Sequence, residues 1–532
     1  MSDAPKSEDA RSAARPGSGR EVELKLEVPT GDLAALRRHP LVRELATKRS
    51  PARRLHTVYY DTADHDLERE RLALRVRSIG RAHVQALKSD SASTGGLFVR
   101  GEWEARLPGP EPDLERIPDF ASRARARAAV GEKPLLPVFE TDFRRSAVLL
   151  AKGDDEVELA FDEGEIRARG ATLPIRELEL ELVRGDPGVL YGIALELHEA
   201  LPLRPAVQSK AERGYALATG QRPGPRRARR VELASDATLE QALAAVLGAC
   251  LEHVLANHEP ARDGGDPEGV HQLRVALRRT RAALALFRDV LPADQVRPFK
   301  AELGWLADRL GPARDLDVFL SETLEPLAAR APGDPGLKRL RDAARELRDE
   351  AYAAVREAVD APRASALALA LGGWMAARGW REGASAEALA ALAAPARGAA
   401  TELLERRHRK ARRLGRDLPE RSVEERHQLR IELKKLRYAG EFLRALFPEA
   451  RVERTLKQLS RLQDTLGHLN DVATMERQLD GIADVLGAEW GPKQQRAAGF
   501  VAGWTALLAE HRLAELDKQW KDFRRSAPFW VT

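Results

Sequence analysis

The chain has 532 residues, 43% of them hydrophobic and 32% charged, with a net charge of +5. That length predicts more than one domain, that composition predicts a globular chain, and so small a net charge names no partner by itself. The single cysteine, Cys250, excludes an internal disulfide framework and a cysteine-based metal site. There is no run of ~18 uncharged apolar residues and no basic-then-apolar leader, so a cytoplasmic protein with no membrane partner is expected.

Residues 1–20 are dominated by Ser, Ala, Pro, Gly and Arg, without periodicity, and are predicted to be a disordered tail. At Glu21 the pattern changes. Glu21, Glu23, Lys25 and Glu27 alternate with Val22, Leu24, Leu26 and Val28, which in a strand puts the charges on one face and the apolar residues on the other. Leu33–Leu45 reads as a short amphipathic helix. Leu55–Tyr60 is β-prone and ends in Asp61-Thr62. Leu72–Arg77 alternates with Arg75 and Arg77 on one side, Val84–Lys88 ends in a lysine, and Arg100, Glu102 and Glu104 share a face. Thr141–Arg145 carries Arg145 in register with Thr141 and Phe143. Glu156–Asp162 alternates, with Glu163-Gly164 read as a hairpin turn. Glu177–Leu182 is the most regular strand, and Lys210 and Arg213 lie near the end of the region.

These amount to about eight strands, most with one charged and one apolar face. An open sheet would turn the charged faces to water. A closed antiparallel barrel would turn them inward, at high cost unless a guest neutralises them. A polyphosphate-like anion with a divalent metal meets both needs, because Lys and Arg recognise phosphate oxygens and carboxylates hold hard cations.

The E-x-E-x-K opening, Tyr-Tyr-Asp-Thr, Arg-x-Arg, the strand ending in Lys88, Arg-x-Glu-x-Glu and the late Glu-x-Glu-x-Glu resemble a CYTH domain, the triphosphate tunnel metalloenzyme family. The resemblance implies an eight-stranded antiparallel tunnel. It implies triphosphate binding by Lys25, Arg75, Arg77, Lys88, Arg100 and Arg145, joined by Lys210. It implies Mg2+ or Mn2+ held by Glu21, Glu23, Asp162, Glu179 and Glu181, with Glu177, Glu179 and Lys88 as catalytic candidates. Glu102 and Glu104 face the same way without an assigned role.

Residues 221–235 are proline-rich and basic and read as a linker. No aromatic residues are interleaved for base stacking, so no nucleic-acid partner is expected. Residues 236–532 turn to Leu, Ala, Arg and Glu at helical spacing. His271-Gln272-Leu273-Arg274 returns as His427-Gln428-Leu429-Arg430, a shift of 156. The same shift carries Arg278 to Lys434, Arg279 to Lys435, Arg281 to Arg437, Asp308 to Asp464, Gly311 to Gly467 and Asp315 to Asp471. On a helix, His271, Arg274, Arg278 and Arg281 form one stripe opposite Leu273, Leu277 and Leu284; His427, Arg430, Lys434 and Arg437 form a second. An ordinary solvated face mixes in acids, whereas these stripes carry none. A polyanion site follows.

The duplicated H-x-x-R-x-x-x-[RK]-[RK]-x-R stretch resembles the CHAD domain. That resemblance implies an all-helical, two-fold repeated domain that binds inorganic polyphosphate through His271, Arg274, Arg278, Arg279, Arg281, His427, Arg430, Lys434, Lys435 and Arg437. Arg314 corresponds to Asn470, so the copies differ, and Glu432 sits within the second motif off its stripe. The expected fold is thus α+β and multidomain: a tail over 1–20, the tunnel over 21–220, the linker over 221–235 and a helical bundle over 236–532. The expected function is metal-dependent hydrolysis of inorganic triphosphate with polyphosphate docking, in the cytoplasm and at polyphosphate granules. The alternatives are a polyphosphate-binding or targeting protein with an inactive tunnel, and an enzyme of organic triphosphates such as a thiamine triphosphatase or adenylyl cyclase.

Overall fold

The computed structural model describes residues 21–531 apart from 30, 32, 81, 90–92, 95, 96 and 223, and omits the side chains of 93, 94, 99, 100, 419, 468–473 and 514. The predicted tail lies outside the described residues. The chain divides into two compact units, Met1–Pro223 and Gly224–Thr532.

Among the described residues the first unit holds eleven strands in one antiparallel sheet. They are β1 (Glu21–Glu27), β2 (Ala46–Arg49), β3 (Arg53–Asp61), β4 (Leu72–Ile79), β5 (Ala82–Ser89), β6 (Ser93–Thr94), β7 (Leu97–Leu107), β8 (Leu136–Lys152), β9 (Asp155–Ala168), β10 (Ala171–Arg184) and β11 (Arg204–Pro205). The long strands run in the order β1-β10-β9-β8-β3-β4-β5-β7, and a β7–β1 pairing closes the ring. The short β2, β6 and β11 attach to β8, β7 and β1.

Closure explains why alternation in β1 and β10 does not produce a wet face. Lys25 lies opposite Glu179 and Glu23 opposite Glu181, and Glu23, Lys25, Glu177 and Glu179 are all buried together with Leu24, Leu26, Leu178 and Leu180. The apolar set packs outward under helices and the charged set faces the lumen. One end of the lumen is apolar: Leu55, Tyr59, Phe139, Phe143, Ile166 and Ile175 form a core with Tyr215 and Ala218 of the helix Lys210–Thr219. A capping box between Ser209 and Glu212 starts that helix. Its first turn therefore delivers Lys210 and Arg213 to the charged part of the lumen.

Two local readings are corrected. Leu33–Leu45 is two short helices, Leu33–Arg37 and Pro40–Leu45, because Pro40 cannot continue the first and instead opens the second. Glu163-Gly164 is not a turn: β9 runs through it. A Cβ on Gly164 would lie 2.2 Å from the Asp142 carbonyl oxygen, so the glycine permits close strand approach. The hairpin turn falls at Arg169-Gly170, both at positive φ (48° and 79°).

The second unit is helical. The helices Leu239–Ala256, Pro267–Leu286, Ala293–Arg309 and Pro335–Asp360 have counterparts at Ala396–Leu414, Val423–Leu443, Glu449–Leu486 and Pro492–Arg525, each starting 156 or 157 residues later. Thr238 and Pro395 form a reciprocal bridge: Leu239 N–H donates to the Ala394 carbonyl at 2.9 Å and Ala396 N–H to the Ala237 carbonyl at 2.8 Å. The two motif helices, Pro267–Leu286 and Val423–Leu443, pack together through Leu273, Leu277, Leu429, Leu433 and Leu436 in one core. Leu239–Asp263 is, among the described residues, the stretch long and apolar enough to cross a membrane by composition, and 56% of that window is buried within the unit.

Part of the predicted linker is docked on this unit. Asn257 accepts the Arg226 N–H at 2.9 Å and donates to its carbonyl at 2.8 Å, and Arg229 pairs with Glu252. The carboxy terminus is docked too. Phe529 and Trp530 are buried beside Phe447, Phe523 and His408, and Trp530 Nε1 donates to Glu405 at 3.1 Å. Trp530→Ala removes a buried aromatic and leaves a cavity beside Phe529 and His408, so a loss of about 3–5 kcal/mol is expected in urea unfolding of the helical unit.

Candidate functional site

The lumen carries two groups of carboxylates in different electrostatic states. Asp162 on β9 and Glu177 and Glu179 on β10 lie with carboxylate oxygens within 4.8 Å of one another, all buried. Resident cations surround them. Lys210 Nζ meets Asp162 at 2.8 Å, Glu177 at 2.6 Å and Glu179 at 2.8 Å. Arg145 pairs with Asp162 at 2.6 Å and with Glu179, Lys25 reaches Glu179 at 3.3 Å, and Arg213 pairs with Glu177. Burial alone would raise the Glu179 pKa, yet Arg145, Lys210 and Lys25 outweigh it and hold the carboxyl well below the usual range. Asp162 is lowered in the same way, against burial, by Arg145 and Lys210.

The second group is the reverse case. Glu181 is pushed up to about 8 by burial and then by Glu21, Glu158, Glu23 and Glu179. Glu158 is its cross-strand neighbour on β9. Glu21 is also raised, by burial first, with Lys88 opposing. Glu181 has no ion pair among the described residues. Here negative charge exceeds positive, which is the state a hard cation relieves.

The opposite wall is basic. Arg75 meets Glu102 at 2.7 Å, and Lys88 meets Glu102 at 2.8 Å and Glu21 at 3.5 Å. Glu102 is held far below the carboxylate range because Lys88 and Arg75 overcome its burial. Arg77 donates to Thr57 at 3.3 Å, and burial, then Arg75 and Arg145, lower it to about 10. Arg100 lies in β7 opposite Glu21, and its side chain is outside the described set. The lumen thus gathers Lys25, Arg75, Arg77, Lys88, Arg145 and Lys210 with Glu21, Glu23, Asp162, Glu177, Glu179 and Glu181. It adds three groups not assigned a role from sequence: Arg213, Glu158 and the buried phenol of Tyr59. Tyr59 is opposite Arg75, and despite burial its pKa is lowered by Arg75, Arg77 and Lys88. The signal for Tyr59 and Glu158 was parity, since each lies two or four residues from an inward-facing neighbour.

In the helical unit the two basic stripes converge. Lys434 is lowered to about 7 by burial and then by Arg430, Arg278, Arg437 and Arg274, so cations from both motif helices crowd one place. His271 is lowered to about 4 by burial, then Arg314, with Arg278 and Arg274 adding to it, and is therefore neutral at physiological pH. Arg278 Nε is buried with no hydrogen-bond partner among the described residues. The repeat is visible in close packing: a Cβ on Gly311 would lie 3.2 Å from the Arg274 guanidinium, and one on Gly467 would lie 3.2 Å from that of Arg430. Asp471 and Asn470 have side chains outside the described set. Arg279 is placed elsewhere: it is buried, paired with Glu441, and stacked on Phe442 at 4.8 Å. Arg437 shares Glu441 at 2.7 Å, Lys435 turns to Glu432, and Arg281 is exposed. The described acids and histidines of this unit form no metal-binding group.

Comparison with known proteins divides the chain at the same place. Residues 19–215 match the CYTH domain and residues 245–480 the CHAD domain. Over 170 residues, 31% of this chain and 47% of the relative, the sequence is 31% identical to an inorganic triphosphatase of Haemophilus influenzae. Over 351 residues, 60% of this chain and 62% of the relative, it is 29% identical to an uncharacterized protein of Mycobacterium tuberculosis. The chain thus spans from about half to three fifths of the length of these curated relatives. A crystal structure of the CHAD domain from the plant Ricinus communis is 30% identical, with 57% of this chain and 98% of that chain covered and a TM-score of 0.49. The chain therefore belongs to the proteins in which a CYTH domain is followed by a CHAD domain.

Proposed function

We propose that the tunnel hydrolyses inorganic triphosphate with Mg2+ or Mn2+ and that the helical unit binds inorganic polyphosphate. The observation that carries the first part is the burial of both faces of β1 and β10, which leaves an enclosed lumen lined by interleaved cations and acids. The similarity to an inorganic triphosphatase supports the same chemistry.

Phosphoryl transfer requires charge neutralisation and alignment more than covalent help. Lys25, Arg75, Arg77, Lys88 and Arg145 would hold the phosphate oxygens. Lys88 would offset charge on the departing pyrophosphate, and Glu177 or Glu179, the latter held ionised by Arg145, Lys210 and Lys25, would orient the attacking water. Glu158 and Glu181, with Glu21 and Glu23 that each meet one lysine (Lys88 at 3.5 Å and Lys25 at 3.1 Å), offer hard oxygen donors with excess negative charge, so they fit a divalent cation better than Asp162, Glu177 and Glu179, which share Lys210 and are paired further with Arg145 and Arg213. Such a cation would supply Lewis-acid neutralisation of phosphate charge.

Phosphate release from tripolyphosphate, ATP and thiamine triphosphate with Mg2+ tests the assignment. Turnover of tripolyphosphate that disappears with chelator is expected; turnover confined to an organic triphosphate would overturn it. One observation favours a second reading, an idle tunnel in a polyphosphate-binding protein: Lys210 and Arg213 already occupy the carboxylates of the catalytic candidates. Glu179→Gln separates the two. An active tunnel predicts lost hydrolysis with polyphosphate retention intact, whereas an idle tunnel predicts no hydrolysis in either protein.

A further inference from the structure

The notable feature outside both sites is Glu432, 1% exposed, with three cations gathered on it. Arg407 meets it at 3.1 Å, Lys410 at 3.2 Å and Lys435 at 4.0 Å. Arg407 also donates to the Ala285 carbonyl at 3.3 Å, near the end of the first motif helix. Its neighbour Arg406 reaches Asp289 at 2.8 Å, which is shared with Arg288 at 3.2 Å. Two carboxylates thus stand against five cations. At the repeat offset Glu432 corresponds to Ala276, so this arrangement occurs once.

More positive charge adjoins it. Lys300 lies below the usual lysine range because of burial, then Arg288 and Arg281. Lys435 is lowered by burial, with Glu432 opposing and Arg407, Lys410 and Arg288 adding to it. Arg274, Arg278 and Arg281 share one stripe of the first motif helix, and Arg288 stands two residues past its end. From Arg274 to Arg281 that stripe spans about 10 Å at ~1.5 Å per residue.

The geometry points to a second anion node at Arg288, Lys300, Arg407, Lys410 and Lys435, continuous with the first basic cluster through Arg281, so that the helical unit grips a long polyphosphate chain at two places and a triphosphate at one. This rests on the reading of the helical unit as a polyphosphate binder. Glu432 acts as the buried anchor that fixes the lysines and arginine while leaving net positive charge for a ligand. Polyphosphate suits the node better than nucleic acid because Tyr438 and Phe442, the rings under the motif arginines, are buried and offer no stacking face.

The test uses the full chain with Arg288→Ala/Lys410→Ala, both substitutions at solvent-reaching side chains (63% and 45% exposed). Arg274→Ala/Arg278→Ala is the reference. Long-chain polyphosphate, tripolyphosphate and single-stranded DNA are titrated at several salt concentrations. The first variant is expected to bind long-chain polyphosphate roughly tenfold more weakly, with a salt slope shallower by about 1–2, and tripolyphosphate as before. Unchanged long-chain affinity, with loss in the reference variant, overturns the node alone. Unchanged affinity in both variants overturns the underlying reading of the helical unit. A larger loss on DNA than on polyphosphate overturns the choice of occupant.

Discussion

Glu181→Gln is expected to lower metal-dependent triphosphate hydrolysis by about 10²–10³-fold while leaving the fold at least as stable as before. The carboxylate stands among Glu21, Glu23, Glu158 and Glu179. In the cation-free protein its ionisation adds to repulsion, and because its folded pKa is raised, stability is lost as pH rises from the ordinary carboxylate range to about 8 and levels off above it. Glutamine removes that cost and one hard ligand together. Glu179→Gln behaves oppositely, since it strips an acceptor from Lys25, Lys210 and Arg145 and leaves buried cations exposed to one another. A stability loss of about 3–5 kcal/mol accompanies its loss of activity. Urea unfolding alongside phosphate release checks the pair. If Glu181→Gln unfolds as readily as Glu179→Gln, the division of the lumen into a cation-seeking group and an internally paired group is wrong.

Polyphosphate affinity is expected to fall about tenfold per pH unit above pH 7, and Lys434→Arg is expected to flatten that fall. In the free protein Lys434 is lowered to about 7 by burial and by Arg430, Arg278, Arg437 and Arg274. A polyanion laid among these groups restores the protonated form, so binding takes up a proton at any pH above the free-state value. Below pH 7 the ammonium is already charged and the dependence disappears. Arginine stays protonated throughout, so its variant keeps the site's charge without the titration. Titrations from pH 6.5 to 9 at fixed ionic strength provide the measurement. A wild-type curve as flat as that of Lys434→Arg would remove Lys434 from the ligand's path.

How much of this was legible in the sequence follows from how far each signal reaches along the chain. Alternation is local, so it placed Lys25, Arg75, Glu177, Glu179 and Glu181 on charged faces and Arg145 in register with Thr141 and Phe143. Whether such a face is wet or enclosed depends on the β7–β1 pairing, which no periodicity reports. Gly164 carried a turn signature but serves close strand approach, because what matters there is the Asp142 carbonyl on another strand. Arg213 was noticed only by position, since its partner Glu177 lies on a distant strand. The wheel separated Arg278 from Arg279 by about 100°, yet the motif grouped them; Glu441 from the partner helix decided that Arg279 is an internal tie. Glu432 was visible as an acid off the stripe, but the three cations it gathers come from two helices.

The reciprocal bridge between Thr238 and Pro395 has a bearing on what the helical unit can discriminate. Its halves meet like with like, so an occupant lying across their two-fold axis would encounter similar surroundings in either direction. Inorganic polyphosphate has no head or tail, unlike a nucleic acid with its 5′–3′ sense, and a cradle of this kind would accept it in both senses without penalty. That indifference to direction lapses at Arg314, standing where the other half has Asn470, and at the cations around Glu432, which stands where the other half has Ala276.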